Sequence, residues 1–182
     1  VLDTFRLPFQ FNILGGYTGS GKTGLLKTLK EKGERVIDLE AIARHKGSAF
    51  GSIGMPPQPT QEMFENLLAK ELRQSMVNGE LSMNRDPDSP LAIPHSRLWL
   101  EDESQRIGQV NLPNDTWKIM RQSPVYFLDI PFEERLKHIA EEYGRLDKQP
   151  MIDAIGRIRE KLGGLNAKNA IQLLEEGNTL ES

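Results

Sequence analysis

The chain has 182 residues, 37% of them hydrophobic, and a formal net charge of -3. That is enough apolar material for one domain with a buried core, but gives no general attraction to polyanions, so any nucleic-acid contact must come from a local basic patch. The absence of cysteine excludes disulfides, thiolate metal centres and cysteine nucleophiles and suits a cytoplasmic protein, and no run approaches the ~18 apolar residues of a membrane span.

In chain order the sequence alternates strands with helices. It begins at Val1 rather than Met and reads as one domain, residues 1–182, cut from a longer protein. Phe9 to Leu14 reads as a buried strand, followed by a glycine-rich stretch and a helix from about Lys22 to Lys32, closed by Gly33. Arg35 to Leu39 is a second short strand, and the spacing of these elements is that of a βαβ crossover with parallel strands. Arg44 to Thr60, rich in Gly, Pro and Ser, is a long loop of the kind that is functional or mobile. Thr60 is a candidate N-cap for a helix to about Val77, with Met63, Phe64, Leu67, Leu68 and Leu72 at helical spacing. Residues 78–97 carry three prolines and little periodicity, and read as an exposed insertion. Leu98 to Leu100 is a third strand, Pro113 or Asn114 opens a short helix to Gln122, and Val125 to Ile130 is a fourth strand. Pro131 with Glu133 and Glu134 then starts a helix to about Tyr143. Two further helices, Pro150 to Leu162 and Asn166 to Glu176, each end on glycine. The pattern is a three-layer α/β domain with a mainly parallel sheet and a helical C-terminal tail.

The residues with the sharpest chemistry are Gly16-Tyr17-Thr18-Gly19-Ser20-Gly21-Lys22-Thr23, which satisfy G-x-x-x-x-G-K-[ST] with a strand before and a helix after. Glycines at 16, 19 and 21 allow the backbone N–H groups from Thr18 to Ser20 to turn inward on phosphate oxygens, and the helix start adds its positive end. Lys22 supplies a point charge for the terminal phosphate and the Thr23 hydroxyl a ligand for Mg²⁺. A P-loop needs an acidic partner at the end of a neighbouring strand, which Glu101-Asp102-Glu103 offers. Asp102 or Glu101 is the candidate for the metal, but three acids in a row are not separated at this stage. Asp38 and Glu40 end the second strand, where they either face a ligand at the carboxyl edge of the sheet or cap the next helix. Arg44, His45, Lys46 and Ser48 form a positive segment suited to a second anion, or an ordinary solvated loop. Arg106, four residues past Asp102, is placed to reach the same cleft.

Together GGYTGSGKT, DLEAIARHKGSAFG, PPQPTQEMFENLLA, LWLEDESQRIG and the later RIREKLGGL and IQLLEEG resemble the P-loop domain of bacterial tRNA 2-selenouridine synthases over nearly the whole chain outside 78–97. The resemblance implies a P-loop NTPase-like fold and a transferase that converts 2-thiouridine at the tRNA wobble position to 2-selenouridine. It implies geranyl diphosphate as prenyl donor for an S-geranylated intermediate and selenophosphate as co-substrate. It also implies an N-terminal rhodanese-like domain with an essential cysteine, which these residues lack, so selenation is not expected of them alone. On this reading Gly16 to Thr23 hold the diphosphate of geranyl diphosphate or a nucleotide, ATP or GTP, with Mg²⁺. Lys22, Asp102 and Arg106 are the candidate catalytic residues, and Asp38, Arg44, His45, Lys46 and Ser48 face substrate or tRNA. Two other readings stand beside it. A small-molecule kinase is suggested by Asp38-x-Glu40 and by Pro131 to Arg135, although Glu142 to Lys148 hold only Arg145 where an Arg-rich lid belongs. The other is a non-catalytic ATP- or GTP-binding module.

Overall fold

The computed structural model describes residues 1–81 and 97–177. After a short 3-10 turn at Leu2–Arg6, strand β1 (Phe11–Gly16) forms the centre of a three-stranded parallel sheet, flanked by β2 (Leu98–Glu101) and β5 (Val125–Leu128). Ile13 and Leu14 point to opposite faces of β1, and both are buried, so the central strand is covered on both sides. One layer begins with α1 (Lys22–Glu31), against β1 and β2; α4 (Asn114–Gln122) packs on β1 and sends Met120 into the main core.

The expected second strand contracts to a single parallel bridge, Val36 to Trp99, on the outer side of β2. Asp38 stops it. Its carboxylate accepts the Ala41 N–H at 2.8 Å and starts α2 (Leu39–Ala43), so the side chain caps a helix, while its charge still acts on Glu40 and Glu101. Thr60 does cap α3 (Gln61–Leu81), accepting from the Met63 N–H at 3.2 Å. Phe64, Leu68 and Leu72 bury completely along one face of α3, while Met63, counted on that face from its spacing, stands in solvent. Helix α3 runs on to Leu81, into the stretch expected as an insertion; the rest of that insertion, 82–96, lies outside the described residues.

Beyond β2 the chain makes a small antiparallel hairpin, β3 (Arg106–Ile107) and β4 (Val110–Asn111), turning at Gly108 with φ 61°. Gln58 fastens it: its Nε2 donates to the carbonyls of Ala43 and Ile107 (3.0 and 3.1 Å), and its Oε1 accepts the Gln109 N–H at 2.8 Å. Gln61 extends the attachment by exchanging two hydrogen bonds with the Asn111 backbone.

After β5 follow α5 (Phe132–Tyr143), α6 (Lys148–Arg157), α7 (Arg159–Leu162) and α8 (Gly164–Glu176). The single helix expected from Pro150 to Leu162 is broken at Ile158, whose φ of -102° and ψ of 11° leave helical geometry. These helices own a second apolar cluster around Met151, Ala154, Ile155, Ala167 and Leu174. Ile53 inserts into it, and Phe50 meets Tyr143 at 5.5 Å between ring centres, so the long loop after α2 is pinned to the helical tail.

Candidate functional site

The loop between β1 and α1 turns where only glycine is comfortable. Gly19 (φ 81°) and Gly21 (φ 79°) lie in the left-handed region. At Gly19 there is also no room: a Cβ would come within 2.6 Å of the Arg135 carbonyl oxygen and 2.7 Å of Ile139, because the loop tip rests on α5. Lys22 opens α1 and folds back over the loop, its Nζ donating to the Gly16 and Tyr17 carbonyls at 2.9 and 3.4 Å. Ser20 is buried next to Gly16, and its Oγ finds no hydrogen-bond partner. The Thr18 carbonyl accepts from Arg135 Nη1 at 3.2 Å.

Strand register decides among the three acids. Glu101 pairs with Leu14 of β1 and therefore points to the α1 face. There its Oε1 lies 3.5 Å from Lys22 Nζ, and its Oε2 accepts from Thr23 Oγ1 at 3.4 Å. Asp102, one residue on, points to the other side and pairs with Arg121 of α4 at 2.8 Å. Glu103 returns to the Glu101 side, and Glu40, from the first turn of α2, joins them. The nearest oxygens of Glu40, Glu101 and Glu103 all lie within 4.8 Å of one another.

Three carboxylates so close raise one another's proton affinity. Burial, then Glu101 and Glu103, push the Glu40 carboxyl up to about 8. Burial and then Glu101 push Glu103 to about 7. Glu101 itself is raised by burial, against the pull of Lys22. A set of hard oxygen donors held together at such electrostatic cost, next to a threonine hydroxyl and in front of a phosphate-type loop, fits a divalent cation such as Mg²⁺.

The remaining sequence candidates are less available to a ligand than their charges suggest. His45 is buried against the hairpin turn, its Nδ1 accepts the Gly47 N–H at 3.1 Å, and burial lowers its pKa, which favours the neutral ring. Lys46 forms an ion pair with Glu142 of α5. Ser48 Oγ lies 3.3 Å from the Tyr143 hydroxyl and accepts the Phe50 N–H at 3.2 Å. Arg44 and Arg106 are exposed, but each donates to a backbone carbonyl, of Pro57 at 3.2 Å and of Gly108 at 2.9 Å. The residue that residue-type reasoning underweighted is Glu40, which it paired with Asp38 although only Glu40 reaches the cluster. Helical spacing after an Asp N-cap was the signal that separates the two. A cavity of about 200 Å³ bounded by Phe9, Phe11, Arg97 and Pro124 lies at the opposite, amino ends of the strands.

A parallel sheet with a glycine loop leading from its central strand into a helix, and with Lys22 and Thr23 meeting an acid on the adjacent strand, defines a P-loop domain of the α/β class. Among the described residues, no helix is long and apolar enough to cross a membrane. The chain belongs to the tRNA 2-selenouridine synthase AAA domain family, which it matches over residues 9–181. The tRNA 2-selenouridine synthase of Hydrogenovibrio crunogenus is 36% identical over 90% of this chain and 42% of its own length. That of Bdellovibrio bacteriovorus is 38% identical over 78% and 33%, and that of a Sulfurovum species 32% identical over 96% and 47%. The chain thus spans between a third and a half of the length of these relatives. A crystal structure of TT1252 from Thermus thermophilus matches at 18% identity and TM-score 0.33 over 79% of this chain and 77% of that one, too distant to add to the topology described above.

Proposed function

We propose that this domain is the diphosphate-handling half of a tRNA-modifying transferase, in which Gly16 to Thr23 grip the diphosphate of geranyl diphosphate while the sulfur of a wobble 2-thiouridine attacks the prenyl chain. The observation that carries this reading is the convergence of Lys22 and Thr23 on Glu101, with Glu40 and Glu103 closing the same cluster. Thr23 and Glu101, with Glu40 and Glu103 beside them, would hold Mg²⁺, which supplies charge neutralisation on a bound diphosphate.

The chain's own groups do the rest. The loop N–H groups and the start of α1 orient the diphosphate, and Lys22 moves from the loop carbonyls onto its oxygens. As the sulfur–carbon bond forms at C1 of the geranyl group, the C1–O bond breaks and its electron pair stays on the diphosphate; the uridine N3 proton passes to solvent. Lys22 stabilises the charge that develops on the leaving oxygen, so catalysis is positioning plus electrostatics, without a protein nucleophile. Selenophosphate and a rhodanese-like domain belong to the second half of the reaction, which we assign to the remainder of the longer protein. Arg44 and Arg106 are our candidates for tRNA phosphate contact, since His45 is buried and Lys46 is paired; Asp102 we assign to anchoring Arg121.

The test is Lys22→Ala in the full-length protein, assayed for geranyl transfer to a 2-thiouridine-containing tRNA. The reading expects transfer to be abolished, and a normal rate would contradict it.

A further inference from the structure

A phosphate-binding loop reads phosphates; what the phosphates are attached to is read by the surface beside it. Here that surface is aromatic. Tyr17, inside the loop, is 58% exposed, and its ring meets the edge of Phe127 from β5 at 5.3 Å between centroids. Arg135 of α5 lies over Tyr17 at 4.8 Å and over Phe132 at 5.5 Å. Phe127 and Phe132 are 53% and 61% exposed. Single surface aromatics are ordinary, but two rings under one guanidinium, with a third edge-on to the first, make a contiguous patch of the kind that marks a binding surface.

The patch is built into the loop. Arg135 Nη1 donates to the Thr18 carbonyl at 3.2 Å and Nε to the Ile130 carbonyl at 3.1 Å, so the cation over two of the rings also holds the loop tip. Phe127 stands opposite Gly15 in the sheet, and a Cβ on Gly15 would lie 3.1 Å from its ring; the missing side chain lets the ring lie across β1 just before the loop.

We propose that this shelf receives the hydrocarbon chain of an organic diphosphate whose diphosphate occupies Gly16 to Thr23. The inference rests on the proposed function above and adds the place of the prenyl tail. A nucleoside in the same position needs partners for the polar edge of its base. The shelf offers the Tyr17 hydroxyl and a guanidinium with two of its N–H groups already on backbone carbonyls; its remaining surface is aromatic and suits a branched, unsaturated chain.

The experiment is calorimetric titration of the protein, with Mg²⁺, against geranyl diphosphate, inorganic pyrophosphate and an anticodon stem-loop RNA, for the wild type and for Phe127→Ala, Phe132→Ala, Lys22→Ala and Leu165→Ala. Leu165, 71% exposed on α8, is the apolar control outside the shelf. The wild type is expected to prefer geranyl diphosphate, and each Phe variant to lose about tenfold of that preference while binding pyrophosphate as before, with Leu165→Ala unchanged. Lys22-dependent binding of geranyl diphosphate with an unaltered preference in both Phe variants overturns the shelf and leaves the loop reading standing. So does a loss confined to affinity for an anticodon stem-loop RNA, which assigns the rings to base stacking. Geranyl diphosphate binding that ignores Lys22→Ala, or is absent, overturns both.

Discussion

Replacing Glu101 by glutamine separates the electrostatic burden it carries in the metal-free protein from the metal-ligand role proposed for it above. At an effective dielectric of about 20, its attraction to Lys22 at 3.5 Å is worth ~5 kcal/mol, and its repulsion from each ionised neighbour within 4.8 Å is at least about 3.5 kcal/mol. Above about pH 8 both Glu40 and Glu103 are largely ionised, so the repulsions together match or exceed the attraction. Lys22 also keeps the Gly16 and Tyr17 carbonyls, so the substitution leaves it no orphan. The expectation is a variant at least as stable as wild type in chelator at about pH 8.5, against the loss of several kcal/mol usual when one partner of a buried ion pair is removed. Mg²⁺ with pyrophosphate at a hundred times the dissociation constant adds about 2.7 kcal/mol to the wild type, a Tm rise of roughly 5–10 °C at this chain length. In Glu101→Gln that rise should shrink below about 2 °C. Thermal melts with and without ligand measure both quantities. A variant that melts well below wild type in chelator, or keeps the full ligand shift, refutes the reasoning.

The carboxylate cluster also sets a pH dependence. Glu40 and Glu103 have folded-state values raised to about 8 and about 7, so the fold favours their protonated forms. Their contribution is fully present below the ordinary carboxylate value of 4.5 and is lost as pH rises towards the folded values. Stability in chelator should fall from about pH 5 and level above about pH 8, and Mg²⁺ should flatten the profile; a chelated protein whose Tm climbs through that window contradicts it. Gly19→Ala must move the Arg135 carbonyl or leave the left-handed region, and should cost about 1–3 kcal/mol while removing pyrophosphate binding, both read by melts and titration. Gln58→Ala strands the Ala43 and Ile107 carbonyls and the Gln109 N–H, and should cost about 2 kcal/mol with loss of hydrogen-exchange protection confined to the hairpin. Unchanged protection there would mean that other contacts hold the hairpin.

The P-loop was legible because its chemistry is local: glycine spacing, Lys22, Thr23 and the flanking periodicities all lie within one crossover. The sheet was legible for the same reason in β1, β2 and β5, each a short apolar run bounded by breakers. Arg35 to Leu39 looked equally strand-like and gave one bridge, because Asp38 found a helix to cap and nothing in the apolar pattern counts that competition. The hairpin at 106–111 has strands too short to show a period, and Gly108 alone marked it. Alternation along β2 was available to divide Glu101 and Glu103 from Asp102, but it needs the register with β1 to say which pair faces the loop. Within Arg44 to Ser48 the sequence does not announce that Lys46 and Ser48 meet Glu142 and Tyr143 more than ninety residues away. The exposed ring of Phe127 was invisible for the converse reason, since an apolar run does not announce that its strand is left uncovered.

The measurement that bears most directly on the central claim is a parallel titration with ATP, GTP and geranyl diphosphate in Mg²⁺, repeated on Lys22→Ala. A P-loop that serves a prenyl donor binds geranyl diphosphate tightly, loses it in the variant, and binds both nucleotides weakly. Tight, Lys22-dependent binding of ATP or GTP with no response to geranyl diphosphate would assign the loop to a nucleotide and contradict the account.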